Sequence, residues 1–100
     1  MPGTHARGAP AEECLDALAA ELISRGWTAY ITIVRGRPAR LFVQHPHDQA
    51  ICADVMAAAG SGTDGSWFWF SWAQRITPVR TPAAAAAVII TELRRAAEVH

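Results

Sequence analysis

The stretch WFWFSW, from Trp67 to Trp72, decides the fold, because residues of this kind form a β-strand with aromatic side chains on both faces. Successive side chains of a strand point to opposite faces of the sheet. Trp67, Trp69 and Ser71 therefore share one face, and the serine hydroxyl indicates that this face is the wetter one. The other set is predicted to point into the core: Phe68, Phe70 and Trp72.

Three further stretches, working outward from this strand, alternate in the same way and complete a predicted sheet. We predict strands at 27–34, 40–44 and 51–57, and a fourth at 66–73 that contains the aromatic stretch. The several alanines in 51–57 leave a helix open as the alternative there. Arg35-Gly36-Arg37-Pro38 is predicted to form the turn between the first two strands.

Two amphipathic helices flank the predicted sheet. The first is predicted from about Pro10 to Arg25, with acidic residues in its first turn and Gly26 at its end. The second begins after Thr81-Pro82, because threonine is a favoured N-cap and proline fits the first helical position. An apolar stripe at helical spacing carries this helix to about Glu98.

The order of these elements defines the fold class. Successive strands joined by short turns pair antiparallel, and amphipathic helices must cover a face of the sheet. We predict an α+β fold, a two-layer α/β sandwich in the order helix, four-stranded antiparallel sheet, helix. Residues 1–9 are predicted to be a flexible N-terminal tail, and residues 10–100 a single domain.

The alternation also divides the side chains of the sheet between two faces. The predicted core face holds Ile31, Ile33, Leu41, Val43, Ile51, Val55, Phe68, Phe70 and Trp72. The opposite face holds Tyr30, Phe42, Cys52, Met56, Trp67 and Trp69, with Arg40 among the interspersed polar residues. Aromatic side chains bury about 150–250 Å² each, so four uncovered ones would expose a patch as large as a monomer normally carries. A second copy, a flat ligand or a loop of the chain would cover it; alternatively, one helix crosses to this face and both aromatic rows are core.

Composition excludes one class of function. The 100 residues contain nine arginines, no lysine and nine acidic residues, so the net charge is zero at pH 7. General electrostatic capture of nucleic acid or of acidic membranes is therefore not the main driving force of binding. The missing lysine and asparagine and the many alanines indicate GC-rich codon usage, so the arginine count itself carries no functional meaning. The N-terminus lacks a signal-peptide core and the longest aliphatic run is far short of a bilayer span, so we expect a cytoplasmic protein without a membrane partner.

Three short clusters are candidate sites that the sequence supports poorly. Arg35-Gly36-Arg37-Pro38 resembles the AT-hook, a minor-groove binder, but a hairpin turn explains these residues fully. The three arginines at 35, 37 and 40 beside an aromatic face are typical of single-strand nucleic-acid platforms, yet the zero net charge opposes this, and we expect no nucleic-acid partner. Four metal-competent residues lie close in sequence but lack a recognisable ligand spacing: His45, His47, Cys52 and Asp54. We therefore predict no metal, no cofactor and no catalytic residue, and we expect Cys14 and Cys52 to be small buried hydrophobes.

The segment WFWFSWAQRITP, Trp67 to Pro78, resembles small proteins of GC-rich actinobacteria that carry a tryptophan-rich strand before their last helix. The resemblance covers about residues 12–97 and includes an Arg-Gly pair ahead of the second strand. Some of these proteins are encoded near helix-turn-helix regulators, which favours a regulatory partner. The family has no established activity, so the resemblance assigns no functional residue.

These observations favour a small, soluble, non-catalytic interaction or regulatory module that uses an aromatic sheet face for self-association or for binding a protein partner. The predicted contact residues are Trp67, Trp69, Tyr30, Phe42 and Arg40. A homodimer is the first expectation. The alternative is a binding domain for a small molecule or nucleobase that stacks on Trp67 and Trp69, and an enzyme is the third.

Overall fold

The chain folds as a helix, five strands and a second helix in a computed structural model, which describes residues 11–59 and 66–99. The elements are α1 (Ala11–Ser24), β1 (Thr28–Thr32), β2 (Arg40–Gln44), β3 (Cys52–Ala59), β4 (Ser66–Phe70), β5 (Arg75–Pro78) and α2 (Pro82–Val99). The α+β class and the antiparallel sheet are confirmed. The alanine-containing stretch after residue 51 is a strand, β3, and not a helix.

Each strand pairs antiparallel with its neighbour in the sequence, so the sheet is an open meander in the order β1-β2-β3-β4-β5. Tyr30 lies opposite Phe42, and Phe42 lies opposite Asp54. On the other side of β3, Met56 lies opposite Trp69. A β-bulge between Trp67 and Trp69 shifts the register of β4 against β5.

Helix α1 ends as its sequence predicts. The Trp27 N–H donates to the carbonyl of Leu22 at 3.0 Å, and the Gly26 N–H donates to the carbonyl of Ile23 at 3.0 Å. These two bonds form a Schellman motif, which needs a left-handed residue after the helix. Gly26 supplies it with a φ of 87°.

Both helices pack on the same face of the sheet. Helix α1 lies against β1, β2 and β3, helix α2 lies against β5, and the two helices pack against each other. One hydrophobic cluster joins all these elements. Its largest fully buried side chains are Leu15, Leu18, Leu22, Leu41, Val43, Val55, Phe68, Phe70 and Ile89. Those that come from the sheet all point to the helix side, and within the described residues no helix covers the opposite face.

The prediction of a single fourth strand at 66–73 is wrong. Strand β4 ends at Phe70, and the chain turns back through residues 71–74 to form β5. The turn is closed by the Ala73 N–H, which donates to the carbonyl of Phe70 at 3.0 Å. Ala73 has a φ of 69°, in the left-handed region, so alternation cannot continue past it. The sheet therefore has five strands instead of four.

Two residues predicted for the core are exposed because they lie beyond the ends of their strands. Trp72 lies in the β4–β5 turn with 54% of its surface exposed, where it stacks on Phe70 at 4.4 Å between ring centroids. Its Nε1 donates to Oε1 of Gln74 at 2.9 Å. Ile33 is 62% exposed, because β1 ends at Thr32 and the alternating pattern no longer applies. The predicted tail, residues 1–9, lies outside the described residues.

Candidate functional site

The sheet surface opposite the helices is the candidate site, and we call it the open face. It is built by the alternate side chains of all five strands, as the pairing register shows. Its members are Thr28, Tyr30, Thr32, Arg40, Phe42, Gln44, Cys52, Asp54, Met56, Ala58, Trp67, Trp69, Arg75 and Pro78. The five residues singled out from the sequence all lie on it.

The aromatic side chains of the open face form two groups on either side of β3. Tyr30 and Phe42 are in contact, with ring centroids 5.1 Å apart. Trp67 and Trp69 lie on β4, across the sheet from that pair. Tyr30 is 54% exposed, whereas Phe42 and the two tryptophans are half-buried. The sequence thus placed these residues on one surface, and the structure places β3 between the two groups.

Charged side chains at the open face were less visible in the sequence. Arg40 lies 3.9 Å from Asp54, and both side chains are well exposed. Such a surface ion pair contributes at most about 1 kcal/mol. The Arg75 guanidinium carbon lies 4.8 Å from the centroid of a Trp67 ring, in a cation–π arrangement. Sequence reasoning missed Arg75 because it did not predict the turn that returns the chain along β4.

Two indole nitrogens are unpartnered. Nε1 of Trp67 and Nε1 of Trp69 are both covered by neighbouring atoms, and neither has an acceptor among the described residues. A buried donor without an acceptor costs about 1–3 kcal/mol, and buried tryptophan N–H groups usually find a partner. The open face therefore contains two covered N–H donors for which the described part of the chain supplies no acceptor.

A small cavity of about 150 Å³ lies where the β1–β2 connection meets the open face. It is lined by Thr32, Val34, Arg37, Pro38, Arg40 and Asp54. The connection turns through Gly36, with a φ of 80°, and the Arg37 N–H donates to the carbonyl of Val34 at 3.0 Å. The four residues that resemble an AT-hook are thus part of a tight turn.

The two candidate histidines, His45 and His47, are in contact with each other, and His45 also contacts Trp27. His45 packs its ring edge-on against Trp27 at 4.9 Å, and its Nδ1 accepts the His47 N–H at 3.0 Å. Among the described residues, no group of three His, Cys, Asp or Glu side chains is placed to hold a metal ion.

The two cysteines differ in environment. Cys14 is buried in α1, and desolvation together with the Glu13 charge raises the pKa of its thiol. Cys52 is exposed on the open face, so the expectation that both are buried is wrong for this residue, and no disulfide joins the two.

Comparisons with protein-family models, with curated proteins and with solved structures found nothing similar to this chain. Neither of the described helices combines the length and the apolar character needed to cross a bilayer.

Proposed function

We propose that this chain is a small interaction module that self-associates through the open face. The observation that carries the proposal is the position of the two described helices: both lie on one side of the sheet, so no helix among the described residues covers the aromatic side chains of the other side. The contact surface consists of Trp67, Trp69, Tyr30 and Phe42, with Arg40 near its margin.

The distribution of aromatic residues favours a second copy as the occupant. β3 is the middle strand, with the Tyr30–Phe42 pair on one side and the two tryptophans on the other. A two-fold axis along β3 lays β2 of one copy over β4 of the second. Phe42 is level with Asp54 and Trp69 is level with Met56, so the aromatic pair of each copy lies two residues along the strand from the other copy's Trp69. A two-fold contact requires a surface that is complementary to itself in this way.

The size of the open face is adequate for a specific contact. The sheet has five strands, and the shortest of the central three have five residues. With strands about 4.8 Å apart and a rise of about 3.3 Å per residue, the projected area is roughly 400 Å². The side chains standing on it raise the accessible area above this figure, toward the about 600 Å² per partner of the smallest standard interfaces.

The test compares three tryptophan variants by light scattering coupled to size-exclusion chromatography. Trp67→Ser and Trp69→Ser each remove open-face contact area, so the native mass should fall below that of the wild type while the far-ultraviolet circular dichroism spectrum is retained. Trp72→Ser is the matched control, because Trp72 is exposed in the β4–β5 turn and does not belong to the open face. Its mass should equal that of the wild type.

Two results would overturn the proposal: a wild-type chain that is monomeric at high micromolar concentration, or a Trp72→Ser variant that dissociates as the other two do. A flat small molecule or nucleobase stacking on Trp67 and Trp69 remains the alternative. Arg75 already lies over Trp67, so such a ligand would have to displace the guanidinium. It would quench tryptophan fluorescence without changing the native mass, and an oligonucleotide would bind less tightly as salt rises.

A further inference from the structure

The two edges of the sheet differ in how they are protected. β5 has four residues and contains Arg75 and Pro78, and a charge and a proline both discourage pairing with another strand. β1 is the opposite edge, and its sequence Thr-Ala-Tyr-Ile-Thr has neither. Among the described residues, one row of backbone N–H and C=O groups of β1 therefore has no strand partner.

Exposed apolar side chains concentrate at this same edge. The described residues include five large apolar side chains that are exposed: Ile23, Tyr30, Ile33, Val34 and Trp72. Three of them lie on β1 or directly after it, and a fourth, Ile23, lies on α1, the helix that packs against β1. Among the described residues, most of the large exposed apolar side chains therefore lie on β1 or directly after it.

The composition of this edge favours pairing with another strand. Residues 28–34 read TAYITIV, without charge, proline or glycine, and five of the seven are β-branched. A segment of this kind at an exposed sheet edge recruits another strand. The occupant must match an uncharged surface that alternates hydroxyl or aromatic side chains on the open face with aliphatic ones on the helix side.

We propose that β1 pairs antiparallel with β1 of a second copy, about a two-fold axis centred on Tyr30. In this register Thr28 lies opposite Thr32 of the second copy, and Ala29 lies opposite Ile31. Threonine pairs are favourable across strands, and reversing the strand sets hydroxyl opposite hydroxyl and aliphatic opposite aliphatic, so the strand is complementary to itself. The sheet then continues across the axis, from five strands to ten.

This contact goes beyond the open-face association and does not depend on it. The edge contact uses backbone groups and the rim of the sheet, whereas the open-face contact uses the flat surface. A chain that forms both contacts assembles beyond the dimer, and blocking either one leaves a dimer. The two proposals can therefore fail separately.

The test uses two variants that differ only at position 28, both made in the Trp67→Ser/Trp69→Ser background that removes the open-face contact. Thr28→Glu/Thr32→Glu places glutamates opposite each other across the axis, so the dimer should dissociate at least about tenfold more readily. Thr28→Lys/Thr32→Glu places lysine opposite glutamate instead, so it should remain a dimer. Thr32 lies opposite Arg40 within the chain, which favours glutamate there in both variants.

Light scattering gives the native mass, and circular dichroism checks that each variant is folded. A background chain that is monomeric at high micromolar concentration would overturn the edge proposal while leaving the open-face proposal intact. The Lys/Glu variant also tests the direction of pairing, since a parallel arrangement would oppose like residues and separate it too. Ala84→Lys/Ala87→Lys, two lysines on exposed positions of α2, is the control for added charge and should not change the mass.

Discussion

Trp67, Trp69 and Trp72 lie within six residues of one another, but backbone direction gives them different roles. The first two lie on the open face, and Trp67 carries Arg75 over its ring. Trp72 lies in the β4–β5 turn, stacked on Phe70. Between them Phe68 is completely buried under the helices. Parity along the strand separates Phe68 from the first two tryptophans, whereas Trp72 shares the parity of Phe68 and is exposed because β4 ends at Phe70.

This difference predicts unequal stability losses from two neighbouring truncations. Phe68→Ala removes a fully buried ring and should lower the free energy of unfolding by roughly 3–5 kcal/mol. Trp72→Ala removes an exposed stacking contact and should lower it by about 1 kcal/mol. Urea denaturation at a fixed protein concentration measures both. Equal losses would contradict the assignment of the two residues to core and turn.

At the scale of elements, the local sequence predicts a helix boundary where a glycine or a proline marks it. The first helix ends at Gly26 and the second begins at Thr81-Pro82, and both were predicted. β1 and β4, whose last residues are not followed directly by glycine or proline, both end earlier than predicted. β4 ends at Phe70 although the alternation WFWFSW continues. The turn that follows depends on a left-handed conformation of Ala73, and alanine is not a residue type from which that conformation is predicted.

Ala73→Gly tests that turn, because the turn determines whether the substitution raises or lowers the free energy of unfolding. A left-handed conformation costs a non-glycine residue about 1–2 kcal/mol, and glycine avoids this while adding about 0.4–1 kcal/mol of unfolded-state entropy. Ala73→Gly should therefore raise the free energy of unfolding by about 0.5 kcal/mol. Ala58→Gly, in the exposed part of β3, should lower it by about 0.5–1 kcal/mol. If one strand ran through residues 66–73, both substitutions would destabilise the protein.

The described part of the molecule is asymmetric, since both of its helices lie on one side of the sheet. Sequence patterning divided the strand residues into two faces, but it could not decide on which side each helix packs. Both helices carry an apolar stripe, and a stripe only requires some apolar surface to cover. The candidate site follows from that choice of side, which depends on long-range packing between elements distant in the chain.

The alkylation rates of the two cysteines test this asymmetry in solution. At neutral pH, iodoacetamide should alkylate Cys52, which is exposed on the open face, and leave Cys14 unmodified until the chain unfolds. Burial and the Glu13 charge raise the pKa of Cys14, so less of it is thiolate at any given pH. The rate at Cys52 should fall as protein concentration rises, because self-association covers the open face. Mass spectrometry after timed quenching gives both rates, and a concentration-independent rate at Cys52 would argue against that contact.

The meander order of the strands has a consequence for how the chain folds during synthesis. Each strand pairs with the one made just before it, so the sheet can form hairpin by hairpin as the chain leaves the ribosome. The core needs α2 as well, because α2 packs against β5 and against α1, which is synthesised before the sheet. Until α2 has been synthesised, Phe68 and Phe70 lack part of their cover, and the nascent chain presents both sides of its sheet to the chaperones that meet it.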